Sequence, residues 1–331
     1  MTTLVVGDPH LNDNPRDRYR HEFQKQLRAM VKKHDVNLTI ILGDLTDVKD
    51  YHGSWLVNEI VGHLWKLSQL CEVIVLKGNH DYINPDTPFF KFLGKIEDIE
   101  WINEPTNSNR SFGRMLFLPH TNNYEKDWRY VFSGEQFDWV FAHNTFEGAQ
   151  VGARRLEGIP LSIFPKNVQI ISGDIHYPQT IGNLTYVGAP YTCHFGDAYD
   201  PRVLLIDDEK HLYQVHSIPC SGVQKRLIEI KSLKELDMYD TGEDILKIRY
   251  ILPSSKSDKW PDIKAEIKEW GKGQPFTIES IHPVMEHEGT DAIVRARGSR
   301  KSDADLIKEY VKRTGASEPT LKTGLKLIEG V

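Results

Sequence analysis

The chain has 331 residues, 27% charged and 39% apolar, with a formal net charge of −6. That is ordinary for a soluble globular protein and long enough for one large domain plus a small one. No apolar run approaches the ~18 residues of a membrane helix, and MTTLVVGDPHL lacks the basic region and apolar length of a signal peptide. Cys71, Cys193 and Cys220 form no Cys-x-x-Cys, which excludes a zinc–thiolate site and suits a reducing, cytoplasmic compartment. In chain order, TLVV reads as a short buried strand. Phe23, Leu27, Met30 and Val31 give residues 18–33 helical spacing, LTIIL is a second strand, Leu56, Ile60, Leu64 and Leu67 mark a second helix over 55–70, and VIVL is a third strand. Continuous apolar strands alternating with amphipathic helices predict an α/β sheet, parallel in this region. Further strands are expected at MLFLP, WVFAH, VQIISG, LTYVG, RVLLID and HLYQV, the last few as antiparallel pairs.

Polar residues gather where five of these strands stop. They are Asp8 and His10 after TLVV, Asp44 and Asp47 after LTIIL, Asn79, His80 and Asp81 after VIVL, His143 and Asn144 after WVFA, and Asp174 and His176 after VQII. One such end is turn chemistry, and Gly173-Asp174 alone reads as a sharp bend. Five such ends place Asp, Asn and His at the carboxyl edge of the strands, where open α/β sheets bind ligands. This donor set suits Mn²⁺, Mg²⁺, Fe²⁺ or Zn²⁺ in an N/O environment. It exceeds the needs of one ion, so two bridged by a carboxylate fit it.

The ordered set D-x-H, G-D-x-x-D, G-N-H-D, a lone His and G-x-x-H resembles the calcineurin-like metallophosphoesterases over roughly residues 4–190. The resemblance implies a two-sheet sandwich flanked by helices. It implies that Asp8, His10 and His176 hold one ion, that Asp44 bridges, and that Asn79, His143 and Asp174 hold the second. His80 would donate a proton to the leaving oxygen or stabilise charge there, with the Asp47 carboxylate orienting it. The family usually has His where this chain has Asp174, and a carboxylate there favours Mn²⁺, with Mg²⁺ as the alternative. Asp81 is expected to anchor a loop or face solvent. His120 is expected to be structural or to touch substrate, and His52 and His194 lie in loops within reach of the cleft.

TYVGAPYTCHFGDAYDPRVLLID, with Gly196, Asp197, Asp200, Pro201 and Arg202, resembles a segment of SbcD-type DNA repair nucleases, the bacteriophage-encoded form most of all. That implies a DNA exonuclease, with endonuclease activity as an addition, acting in recombination, repair or phage DNA processing. It also implies an SbcC-like ATPase partner on a separate chain, since no G-x-x-x-x-G-K-[ST] loop occurs here, and leaves room for a homodimer. The expected organisation is a nuclease domain over 1–232 and a small α+β DNA-capping domain over 240–331. In the latter, LKIRYIL and AIVRARG read as strands and Asp262 to Trp270 as a helix. The acidic excess lies outside this region: residues 221–331 hold 20 Lys+Arg and 19 Asp+Glu, residues 1–220 hold 21 and 28. Arg295 and Arg297 share one strand face and, with His52 and Arg202, are candidate DNA contacts. The alternatives are a phosphatase or small-molecule phosphodiesterase on the same site, or a scaffold that has lost catalysis.

Overall fold

The computed structural model describes residues 1–286 except 111–112, 210–211 and 240–241. Residues Met1–Leu252 and Asp258–Val284 form one compact unit. The first sheet contains β1 (Thr3–Val6), β2 (Leu38–Ile41), β3 (Glu72–Leu76) and β4 (Ile99–Ile102), joined in parallel. It is extended beyond β1 by the antiparallel β13 (Arg202–Glu209) and β14 (Leu212–Pro219). The second sheet has β6 (Gly113–Leu118), β7 (Trp139–His143), β10 (Gln169–Gly173) and β12 (Leu184–Tyr186) in parallel, with β5 (Thr106–Arg110) and β11 (Gln179–Ile181) as antiparallel edges. The hairpin β8 (Gln150–Val151) and β9 (Arg154–Arg155) stands apart.

Strand alternation builds the layers. Leu4, Val6, Val73 and Val75 face outward and pack with Phe23 and Leu27 of α1 (Tyr19–Lys33) and with Leu56, Ile60 and Leu64 of α2 (Ser54–Ser68). Their neighbours Val5, Ile40 and Ile74 face inward and meet Phe117, Phe141 and Ile171 of the second sheet. The outer face of that second sheet is covered by single helical turns and loops carrying Trp128, Phe146 and Phe164. The result is the expected two-sheet α/β sandwich with helices.

A three-stranded sheet follows, made of β15 (Lys225–Ile230), β16 (Ile245–Pro253) and β17 (Thr277–Glu286), with α3 (Trp260–Trp270) packed on it through Ile267. Leu246, Ile248, Tyr250 and Leu252 alternate into its core. β15 pairs with β16 in parallel, so a strand before residue 232 belongs to the same sheet as residues beyond 240. The expected strand AIVRARG, with Arg295 and Arg297, lies outside the described residues.

Candidate active site

The two sheets share a carboxyl-terminal edge, and the chain bends sharply there. Among the described residues, six non-glycines have positive φ, and four of them are at this edge: Asp8 (41°), His10 (42°), Asp44 (53°) and Asp174 (79°). Non-glycine residues avoid this region, and a structure that keeps four in one place is holding side chains for a purpose. Close approach is built in too. A side chain at Gly78 would overlap the Asp44 carboxylate, and one at Gly173 would lie 2.9 Å from His143 Nδ1 and 3.0 Å from Asp8 Oδ1. Asp81, fully buried, ties two of the bends together. Its Oδ2 accepts from the amides of Asp44 (2.8 Å) and Gly78 (2.6 Å), and its Oδ1 from that of Leu45 (3.0 Å).

The imidazoles are oriented from behind. His143 Nδ1 donates to the Leu42 carbonyl (2.6 Å), which leaves Nε2 facing Asp44 Oδ1 at 3.4 Å and Asp174 Oδ1 at 4.0 Å. His10 Nδ1 pairs with Asp47 Oδ1 (3.2 Å), and its Nε2 lies 2.9 Å from His176 Nε2 and 3.3 Å from Asp44 Oδ2. Asp47 is itself held by Asn12 (2.6 Å) and the buried Arg20 (2.7 Å). Asp174 accepts from the Thr145 hydroxyl through Oδ2, and its amide donates to Asp8 Oδ1 (2.9 Å). His80 differs from the expectation. Its Nδ1 bonds the backbone carbonyl of Asp47 at 2.7 Å, because the Asp47 carboxylate is already taken by His10, Arg20 and Asn12. A carbonyl only accepts, so Nδ1 carries the proton and Nε2 faces the cluster.

The residues fit divalent cations. Asp8 Oδ2 is buried without a hydrogen bond. The inward amide atom of Asn79 lies 3.0 Å from His143 Nε2 and 3.2 and 3.0 Å from the Asp44 oxygens. Only with its oxygen inward could Asn79 ligate a cation beside Asp44; with the amide swapped its NH2 donates to His143 Nε2 and both Asp44 oxygens. The electrostatics of the cluster express the same demand. Burial pulls His143 down, but Asp44, Asp8 and Asp174 outweigh it and lift the imidazole to about 10. Burial raises Asp8 to about 6. Burial also raises Asp44, yet His143, His10 and His80 hold it well below the usual carboxylate range. Burial and the neighbouring His10 push His176 down to about 3, so it is a neutral donor. The donor atoms of Asp8, Asp44 and His143, and likewise those of His10, Asp44 and His80, lie within 4.8 Å of one another. Asp44 belongs to both groups, as a bridging carboxylate does.

The remaining candidates lie further out. His52 bonds Thr46 Oγ1 (2.8 Å) and packs on Phe89, ring centroids 4.3 Å apart. Arg202 spends its guanidinium on the carbonyls of Val187 (3.2 Å) and Tyr186 (3.0 Å), so it fastens the end of β12. His120 bonds the Tyr82 hydroxyl (2.8 Å), and burial pushes it down to about 3. The exposed His194 lies beside His176, ring centroids 6.5 Å apart. Asn12, Arg20 and Thr145 were missed. Arg20 carried a signal: it is three residues before Phe23 and seven before Leu27, on the stripe that α1 buries.

The geometry is that of a metal-dependent phosphoesterase centre, and comparison with known proteins agrees. Residues 1–178 match the calcineurin-like phosphoesterase family, and the chain belongs to it. The family binds divalent metal ions and hydrolyses phosphate esters. The chain is 26% identical over 227 residues to "Putative phosphoesterase 244L" of Invertebrate iridescent virus 6, covering 61% of this chain and 74% of that protein. It is 22% identical over 345 residues to "Putative phosphoesterase 078R" of Invertebrate iridescent virus 3, covering 96% and 94%. Among solved structures, it is similar to an archaeal phosphodiesterase (TM-score 0.37, 13% identity, 66% of this chain and 100% of that one). It is also similar to the Pseudomonas putida nuclease MPE (TM-score 0.32, 16% identity, 65% and 87%).

Proposed function

We propose that the chain is a DNA nuclease: a phosphodiesterase that holds two divalent ions, Mn²⁺ first, and cuts DNA by hydrolysis. Asp8, His10, His176 and Asp44 would hold one ion, and Asp44, Asn79, His143 and Asp174 the other. Bound there, the ions supply an ionised water at neutral pH and neutralise phosphate oxygens. The chain's own residues do the rest. Asp47 and Leu42 fix the rings of His10 and His143, and His80, as the imidazolium protonated at both ring nitrogens, delivers its Nε2 proton to the leaving oxygen and keeps its Nδ1 proton hydrogen-bonded to the Asp47 carbonyl. The carrying observation is His80, fixed at Nδ1 by a carbonyl and edge-on to His10 with centroids 4.9 Å apart.

The choice of a polymeric diester is supported by the surroundings. A cavity of about 900 Å³, lined by Lys77 and His120, adjoins His143, whose ring centroid is 6.1 Å from that of His120. A second, of about 660 Å³, begins at Tyr177, next to His176. A single phosphate needs neither, whereas a chain of nucleotides has room on both. Lys77, buried with its ammonium 4.8 Å from the Tyr82 ring centroid, places positive charge for a flanking phosphate. Control by an ATPase on a separate chain belongs to the same proposal. No described helix is long and apolar enough to cross a membrane.

The test is the Mn²⁺-loaded chain on end-labelled single- and double-stranded DNA beside bis(p-nitrophenyl) phosphate and p-nitrophenyl phosphate. Shortened DNA, with the diester cleaved faster than the monoester, is expected. Monoester turnover with intact DNA overturns the nuclease and leaves a phosphatase.

A further inference from the structure

A second cluster of metal-ligating side chains lies between α1 and α2, apart from the ligand set above. It consists of His21 on α1 and Glu59 and His63, one helical turn apart, on α2. His21 is 7% exposed and His63 9%. His21 Nε2 lies 2.8 Å from the Asn12 carbonyl. A carbonyl only accepts, so Nε2 carries the proton and Nδ1 presents a lone pair. That Nδ1 is buried and has no hydrogen bond, and the same is true of His63 Nε2. An unpaired buried imidazole nitrogen such as His21 Nδ1 is costly to leave so, and His63 Nε2 has only the ion pair with Glu59.

We propose that His21 Nδ1, His63 Nε2 and the Glu59 carboxylate form a zinc-class divalent metal site that clamps α1 to α2. One donor atom of each residue lies within 4.8 Å of the others, and His63 Nε2 is 3.3 Å from Glu59 Oε2. Ligands ~2.0–2.1 Å from a tetrahedral zinc are separated by about that edge, so the His63–Glu59 pair already has the spacing of two zinc ligands. Two His and one Glu are a zinc donor set, and the Asn12 carbonyl behind His21 is the outer partner that fixes such a ligand. Glu59, with its side chain 41% exposed, leaves the fourth position to solvent. Arg28 opposes binding: its Nη1 lies 3.2 Å from His63 Nδ1 and, being only a donor, keeps the ring proton on Nε2. Loading moves that proton to Nδ1 and turns the half-buried Arg28 outward. Asn12 also donates to Asp47, so the clamp steadies the loop behind His10.

Zinc content per chain after dialysis, together with a chelator competition, decides it on the full chain. His63→Gln should lose one equivalent relative to the parent. Glu59→Gln, too exposed to disturb folding, should release that equivalent at least about tenfold more readily. Circular dichroism checks that both variants are folded. Equal zinc content in all three proteins, or equal affinity in Glu59→Gln and the parent, overturns the site.

Discussion

His80 and Asp174 stand at the same edge and are separable by what each variant loses. His80 is fixed through its backbone-bonded Nδ1, and the metal ligands stand without it. His80→Ala should leave metal content unchanged and lower turnover by ~10²–10⁴, the scale for a proton-transfer residue. Equal loss of metal and turnover would make it a ligand. Asp174 allows a cleaner experiment because its φ is 79°, where glycine is at ease and other residues are strained. Asp174→Gly removes the carboxylate and relieves the backbone, whereas Asp174→Ala keeps the strain. The glycine variant should bind one ion fewer. Without metal it should be more stable than the alanine variant by about 1 kcal/mol in urea unfolding. Two ions in Asp174→Gly would leave Asp174 a turn residue, the reading Gly173-Asp174 invites in isolation.

The bends after β2 and β3 act as one element because Asp81 joins them. Its two oxygens accept three buried amides, from Asp44, Leu45 and Gly78. Asp81→Ala strands all three and should cost about 2–4 kcal/mol of unfolding free energy. Asp81→Asn keeps an oxygen for Asp44 and Gly78 and should cost roughly half as much. A midpoint unchanged in both would show that water replaces the carboxylate. Sequence presented Asp81 as a loop anchor or a solvated group, and could not choose, because the choice depends on two bends 37 residues apart meeting. Elements whose pattern was strong were legible: TLVV, LTIIL, VIVL and WVFAH are buried on both faces, and α1 and α2 show their stripes. The strands that escaped are edges. β5 reads TNSNR and β11 reads QTI, so polar side chains hide the period. At the site, the spacing gave the strand-end residues, but not how they are held. That His80 rests on a carbonyl, or that Arg202 fastens Tyr186 and Val187, depends on backbone atoms that no motif names.

Over the whole molecule, the ligand set makes stability and metal binding depend on pH together. Burial lowers His143, but Asp44 and the other carboxylates lift it from the ordinary 6.5 to about 10. A group raised in the folded state contributes stability that is full below its unfolded value and is lost as pH rises through the folded one. In the metal-free chain the His143 contribution is therefore complete below pH 6.5 and disappears by about 10. Asp8 and Asp81, raised by burial from 3.8 to about 6, follow the same sign in a lower window, losing their contribution between about 4 and 6. Asp47 runs the other way. Burial alone would raise it, but His10, Arg20 and Asn12 hold it at about 2, so its contribution is lost only as pH falls through that value. Divalent ions need the deprotonated ligands that alkaline pH supplies, and they replace the positive charge His143 gives up. The Tm of the metal-free chain should thus fall from pH 6.5 to 9, while that of the Mn²⁺-loaded chain falls less. The gap between the two should widen steadily over that range, since bound ligand stabilises in proportion to its affinity. Calorimetry of chelator-stripped and loaded protein at matched ionic strength measures it. A constant gap would mean that His143 titrates independently of the metal and is not a ligand.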